Sequence, residues 1–220
     1  MSEQVRVAAS LWSVPSGSQA AEARRLREAG LGVFHWDTTD GVFARAGGFS
    51  ADVAATMTEE TGALAEAHLM VADPLAHLDA WTGFCELVVV HAEAEEWRAA
   101  LDRIERRGSR PALALSPGTP ADGVPSTELA VLTMSVVPGN AGAAFDESAL
   151  TIVRSLREAA AHAPRLLGID GGVTREIARR AVGSGSNWLV SGTDLVGSAT
   201  PQDWLSEVRK LPCPSAPSAE

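Results

Sequence analysis

Lysine is almost absent from this chain: of 18 basic residues only Lys210 is a lysine, and it lies near the C-terminal end. Aldolases and decarboxylases that work through a Schiff base need a buried lysine, so that chemistry has no obvious bearer here. Cysteine is scarce too. Cys85 and Cys213 are too few and too scattered for a disulfide framework or a thiolate metal site. No apolar run approaches the roughly 18 residues a membrane span needs. The opening MSEQVRVAASLW has neither the basic start nor the apolar stretch of a signal peptide. Cytoplasmic residence with no membrane role is the expectation. Basic charge is also in deficit, with a formal net charge of −10, which argues against a nucleic-acid partner. A phosphorylated small molecule is not excluded, because a few backbone amides can hold one phosphate in an acidic protein.

What is present is apolar and regular. Hydrophobic residues make up 45% of the chain, enough to fill one large α/β core. Strand patterns fall at 5–11, 32–37, 64–70, 86–92, 111–116, 129–136, 165–170 and 187–192. Between them lie stretches such as QAAEARRLREAG, SADVAATMTEE, LAHLDAWTG and AEEWRAALDRIERRG, most with the three-and-four spacing of a helix that buries one face. The fifth connection, PGTPADGVPSTE, carries prolines that predict a turn or very short helix instead. Eight strand–helix units predict a single (β/α)8 TIM barrel over 1–211, with a proline- and serine-rich, disordered tail at 212–220.

In the second strand, VFHWDTTDGVF puts His35 and Asp37 on one face and Phe34 and Trp36 on the other. Barrel strands are buried on both sides, so the aromatics can pack under the helices while His35 and Asp37 point into the barrel. Ser10, His35, Asp37, His68 and Asp170 all fall at C-terminal strand ends, the face where barrels keep their active sites. Two imidazoles and two carboxylates suit one divalent ion of the Zn2+, Fe2+ or Mn2+ kind. Gly171-Gly172-Val173-Thr174 and Ser191-Gly192-Thr193 supply glycine turns after the last two strands, the usual barrel phosphate site. Taken singly each has a plainer reading: an inward histidine as a core residue, Met70 and Met134 as core fillers, Asp-Gly-Gly as a turn. His77, His91 and His162 receive that plainer reading, the first and last as helix residues and His91 for want of an acidic neighbour at a strand end.

These residues resemble the motifs of the ribulose-phosphate 3-epimerase family. Its Pro-Ser-(Ile/Leu)-Leu-Ser matches Ala9-Ser10-Leu11-Trp12-Ser13, and its His-x-Asp-x-Met-Asp-Gly matches His35 to Gly41. Its Val-His-Leu-Met matches Ala67-His68-Leu69-Met70. Its Met-Thr-Val-Asn-Pro-Gly-Phe-Gly-Gly-Gln-Ser-Phe matches Met134 to Phe145, and its Val-Asp-Gly-Gly-Ile matches Ile169 to Val173. The resemblance implies metal-dependent 3-epimerisation of a ketose phosphate, D-ribulose 5-phosphate to D-xylulose 5-phosphate or a related phosphosugar, in pentose phosphate and carbohydrate metabolism. It implies metal ligands at His35, Asp37, His68 and Asp170. Asp37 and Asp170 become the two proton carriers on either side of a metal-stabilised enediolate. Substrate contacts fall to Ser10, His68, Met70, Met134, Gly139 and Gly142, and phosphate contacts to Gly171, Gly172, Gly192 and Thr193. Relatives of this kind are commonly homo-oligomers.

The chain departs from the pattern around the ligands. Thr39 stands where methionine is expected, Phe43-Ala44-Arg45-Ala46 replaces a Phe-Val-Pro-Asn run, and Gly139-Asn140-Ala141-Gly142-Ala143 loses an aromatic, a glycine and an amide. A lost glycine that needed positive φ would force a different loop at Ala141. The metal shell is whole while the walls have changed, which leaves two other readings open: another metal-enediolate reaction of a phosphosugar, isomerase or aldolase-like, or a non-catalytic binder of a phosphate ligand.

Overall fold

A computed structural model describes residues 4–125, 128–159 and 166–212; His162, Cys213 and the rest of the tail lie outside the described residues. Eight parallel strands close into a barrel in sequence order: β1 Arg6–Ser10, β2 Val33–Thr39, β3 Leu64–Met70, β4 Leu87–His91, β5 Arg110–Leu115, β6 Ala130–Met134, β7 Leu167–Asp170 and β8 Trp188–Ser191. Around them run α1 Gln19–Glu28, α2 Ala51–Thr61, α3 Trp97–Arg106, α4 Ser148–Ala159, α5 Arg175–Gly183, α6 Thr193–Val196 and α7 Pro201–Arg209. Every expected strand is present, β3 with the expected bounds and the others trimmed or extended at their ends. LAHLDAWTG is not a helix: it makes two 3-10 turns, Pro74–Ala76 and Leu78–Ala80. Nine residues interrupted by the turn at His77 are too few to propagate a helix in isolation. The proline-rich fifth connection carries, as expected, a 3-10 turn at Ala121–Gly123.

The alternation along each strand divides the core in two. Outward residues such as Phe34, Trp36, Leu69, Val88 and Val90 pack beneath the helices; the Trp36 indole stacks on Phe34 and donates to the Thr58 hydroxyl of α2 at 3.0 Å. Inward residues fill the barrel, and those of β5 and the first of β6 are small, Ala112, Ala114 and Ala130, with Leu132 and Met134 following on β6. That small side offsets Trp188, a fully buried indole projecting inward from β8. Gly168 on β7 completes the fit, because a Cβ there would lie 2.5 Å from the Trp188 ring and 2.6 Å from Leu132. Trp188 thus plugs the barrel, and the polar side chains lie from its level up to the C-terminal mouth.

Candidate metal and active site

Register decides which side chains meet. Ser10 pairs with His35, His35 with Glu66, Asp37 with His68, and Met134 with Asp170, so inward groups from five strands lie in adjacent layers. One donor atom from each of His35, Asp37, His68 and Asp170 falls within 4.8 Å of all the others. His68 Nδ1 is 3.1 Å from Asp37 Oδ1 and 3.5 Å from Asp170 Oδ2; His35 Nε2 is 3.5 Å and 3.9 Å from the same two oxygens. Ser10 donates its hydroxyl proton to Asp37 Oδ2 at 2.6 Å.

The residues fit a divalent cation. His35 Nε2 is buried and has no hydrogen-bond partner among the described residues, a condition that a buried imidazole rarely tolerates. Its other nitrogen is fixed: His35 Nδ1 lies 2.7 Å from Glu66 Oε1, so Nδ1 carries a proton and Nε2 is the nitrogen turned toward Asp37 and Asp170, free to become a ligand once its own proton is displaced. Electrostatics agree. Burial alone would lower the His35 pKa, but Asp37 and Glu66 hold it well above the ordinary imidazole value. Burial likewise opposes a charge on His68, and hydrogen bonds to Asp170 and Asp37 overcome it and raise its pKa. Asp37 is held well below the usual carboxylate range: burial works the other way but is outweighed by His35 and His68. Two imidazoles gripping protons between two carboxylates are a site with positive charge already built into its balance, where a cation can replace protons.

Two parts of the site escape a motif reading. Glu66 is fully buried, yet it accepts from His35, from Trp188 Nε1 at 2.9 Å and from Arg6 Nε at 3.1 Å and Nη2 at 2.9 Å. Burial would raise its pKa; the bonds to His35 and Arg6 lower it. Period-two alternation could have found it, two residues before His68 on the inward face. His91 also corrects the expectation stated above. It does have an acidic neighbour: Glu93 Oε2 lies 3.0 Å from His91 Nδ1, and His91 Nε2 lies 2.9 Å from His68 Nε2. His91-x-Glu93 repeats the spacing of His35-x-Asp37, which was the available signal. Burial drives the His91 pKa down to about 4 despite Glu93. Burial would raise the Glu93 pKa, but bonds from His91, Thr119 and Ser116 bring it to about 2.

Above the cluster opens a cavity of about 570 Å³. Ser10, Asp37, Met70, Met134, Gly139, Gly142, Asp170, Gly171, Gly172, Gly192 and Thr193 all line it, while His35 and His68, expected as a metal ligand and as a ligand with a substrate contact, are not among its lining residues. Gly171 and Gly172 adopt φ of 100° and 58°. A Cβ on Gly171 would meet Val136 Cγ2 at 2.6 Å, so the turn needs glycine on both counts. Of the departures, Thr39 is not among the cavity's lining residues: its hydroxyl donates to the Arg45 carbonyl at 2.8 Å and closes the 40–47 loop. Ala141 avoids positive φ; Gly139 at 84° and Gly142 at 80° carry the two turns. Arg45 lines the outer mouth with Trp12 and Asn140.

Residues 6–196 match the model of the ribulose-phosphate 3 epimerase family. Similar curated proteins include the cytoplasmic isoform of ribulose-phosphate 3-epimerase from Oryza sativa, 31% identical over 93% of each chain, and ribulose-phosphate 3-epimerase from Bacillus subtilis, 26% identical over 93% of this chain and 98% of that one. Among solved structures, KGPDC from Streptococcus mutans superposes with a TM-score of 0.68 at 13% identity, covering 94% of this chain and 98% of that one. 3-Hexulose-6-phosphate synthase from Salmonella typhimurium gives 0.64 at 12% identity, covering 94% and 97%. The structural likeness speaks to the barrel alone.

Proposed function

The chain belongs to the ribulose-phosphate 3-epimerase family and is an isomerase of the epimerase class, and from that premise we propose that it inverts carbon 3 of a ketose phosphate, with D-ribulose 5-phosphate as the first candidate. The observation that carries this reading is the coincidence, at one barrel mouth, of an orphaned imidazole nitrogen with two carboxylates from different strands. His35, Asp37, His68 and Asp170 would hold a divalent cation, which when bound would supply Lewis-acid stabilisation of negative charge on the substrate oxygens.

The chain's own residues do the rest. Inversion requires a proton to leave one face of the carbon and another to arrive at the opposite face. Asp37 rises from β2 and Asp170 from β7, and both line the cavity where the substrate sits. One of them, as base, takes the proton from its own face while the other, carrying a proton, delivers it to the opposite face, and the roles exchange in the reverse direction. Ser10 holds the Asp37 carboxylate in place by its 2.6 Å bond. Met70 and Met134, nearly fully buried, give the reacting carbon an apolar wall that keeps bulk water away. Gly171, Gly172, Gly192 and Thr193 offer the phosphate a rim of backbone amides.

Asp37→Asn and Asp170→Asn test the assignment, each expected to lower turnover by about 10²- to 10⁴-fold. Deuterium from solvent should enter carbon 3 of the product in the parent enzyme. Carbon–carbon cleavage products instead of exchange would move the chemistry to an aldolase-like reaction. A metal-free, inert protein that binds the phosphate ligand tightly would make it a binder.

A further inference from the structure

We propose that His91 and Glu93 are positioning residues that fix which nitrogen of His68 faces the metal site. The inference rests on the four-residue site described above and adds to it a chain of hydrogen bonds running from the barrel mouth to His68.

The direction of that chain follows from donor counting. Glu93 is an ionised carboxylate and can only accept, so the contact at 3.0 Å places a proton on His91 Nδ1. With its N–H given to Glu93, the fully buried His91 ring turns Nε2 to His68 as the acceptor end. Facing that lone pair at 2.9 Å is His68 Nε2, which must donate. The two rings are inclined by only 16°, so this is an N–H···N bond between near-parallel rings rather than an edge contact. With its Nε2 proton committed, His68 keeps Nδ1 for the space between Asp37 and Asp170. The opposite tautomer would set two lone pairs against each other across 2.9 Å between two fully buried rings.

The outer end of the chain is also held. Glu93 Oε1 accepts from the Ser116 amide at 3.0 Å and from the Thr119 hydroxyl. The Ser116 hydroxyl lies 3.2 Å from His91 Nδ1. The Phe43 ring covers His91 at 4.7 Å between centroids, and it belongs to the loop that Asp40 ties to the end of β3 through the Ala72 amide at 2.7 Å. The arrangement mirrors the Glu66–His35 pair at the barrel floor. Each histidine of the site therefore has its far nitrogen fixed by an acid, directly for His35 and through a second imidazole for His68.

The test measures Co2+ and Zn2+ affinity by chelator competition, with the Co2+ visible spectrum and the ¹⁵N shifts of His68 in the zinc-loaded protein. Parent protein should bind one ion, with zinc on His68 Nδ1 and the proton on Nε2. His91→Phe should weaken affinity about ten- to a hundredfold and change the Co2+ spectrum. His91→Gln should restore most of the loss, because its amide accepts from His68 at one end and donates to Glu93 at the other. Glu93→Ala, at the barrel mouth, carries the test if His91→Phe does not fold. Unchanged affinity and spectrum in both His91→Phe and Glu93→Ala overturn the inference and leave the metal site standing. Parent protein that binds no ion overturns the site and the inference together.

Discussion

Replacing Glu66 by glutamine changes almost no volume and removes one charge, yet it should cost this barrel much of its stability. Four donor contacts converge on Glu66: His35 and Trp188 on Oε1, and two from Arg6 on Oε2. An amide has one acceptor end. It can turn its oxygen to His35 and Trp188 and set its NH2 against the Arg6 guanidinium, or the reverse. Either way a pair of bonds to a charged or buried group is lost in a fully buried site, and a donor faces a donor. Arg6 retains Glu86, which softens but does not cancel the loss. Breaking one side of a buried ionic arrangement costs about 3–5 kcal/mol, which for a domain of this size lowers the melting temperature by on the order of 10 °C. Differential scanning calorimetry on the metal-free protein reads that shift directly. A second readout is the metal: with the His35 tautomer no longer fixed, affinity should fall by about ten- to a hundredfold. A Glu66→Gln protein that melts with the parent and binds metal as tightly would refute the claim that Glu66 organises the floor of the site.

Other outcomes follow from the same geometry. Gly168→Ala should destabilise the fold by about 1–3 kcal/mol, seen in urea unfolding, because the new Cβ meets Trp188 and Leu132; an unchanged midpoint would mean the plug is loosely packed. Ser10→Ala removes the donor to a buried carboxylate and should lower kcat/KM by on the order of tenfold or more, with an unaltered rate speaking against Ser10 as the support of Asp37. Because the pKa values of His35 and His68 are raised in the metal-free protein, metal must displace protons from them, so apparent affinity should climb with pH through and above neutrality, with proton release measurable by titration calorimetry in buffers of different ionisation heat. For stability the sign is the same as for any raised histidine: the contribution of these two groups is fully present below about pH 6.5 and is lost as pH rises through their folded values. A pH-independent affinity would show that the nitrogens were already free.

The architecture is legible in the sequence because each strand is a short, largely apolar run set between polar or helical stretches, and parity along a strand then says which residues face inward. Parity alone brings His35, Asp37, His68 and Asp170 to one mouth. Glu66 and His91 obey the same parity and still escape a motif reading for a physical reason: their importance comes from partners in other strands, which only the closed barrel's register reveals. Glu66 meets His35 because those residues pair across β2 and β3. His91 meets His68 although their strands pair with a stagger, His68 opposite Val89. The 75–83 segment departs from expectation for another cause, since helical spacing over nine residues is weak when no long apolar face rewards continuation. Thr39 illustrates a third limit: in sequence it reads as a change to the pocket wall, whereas its hydroxyl is used to close a loop.

The most direct test of the account is turnover of ribulose 5-phosphate by purified protein before metal removal, after removal by chelation, and after return of Zn2+, Fe2+ or Mn2+. The account predicts xylulose 5-phosphate formation that disappears with the metal and returns in proportion to the ion bound, with no recovery in Asp170→Asn. Turnover that persists at full rate in the chelated protein, with no metal detectable, would contradict it.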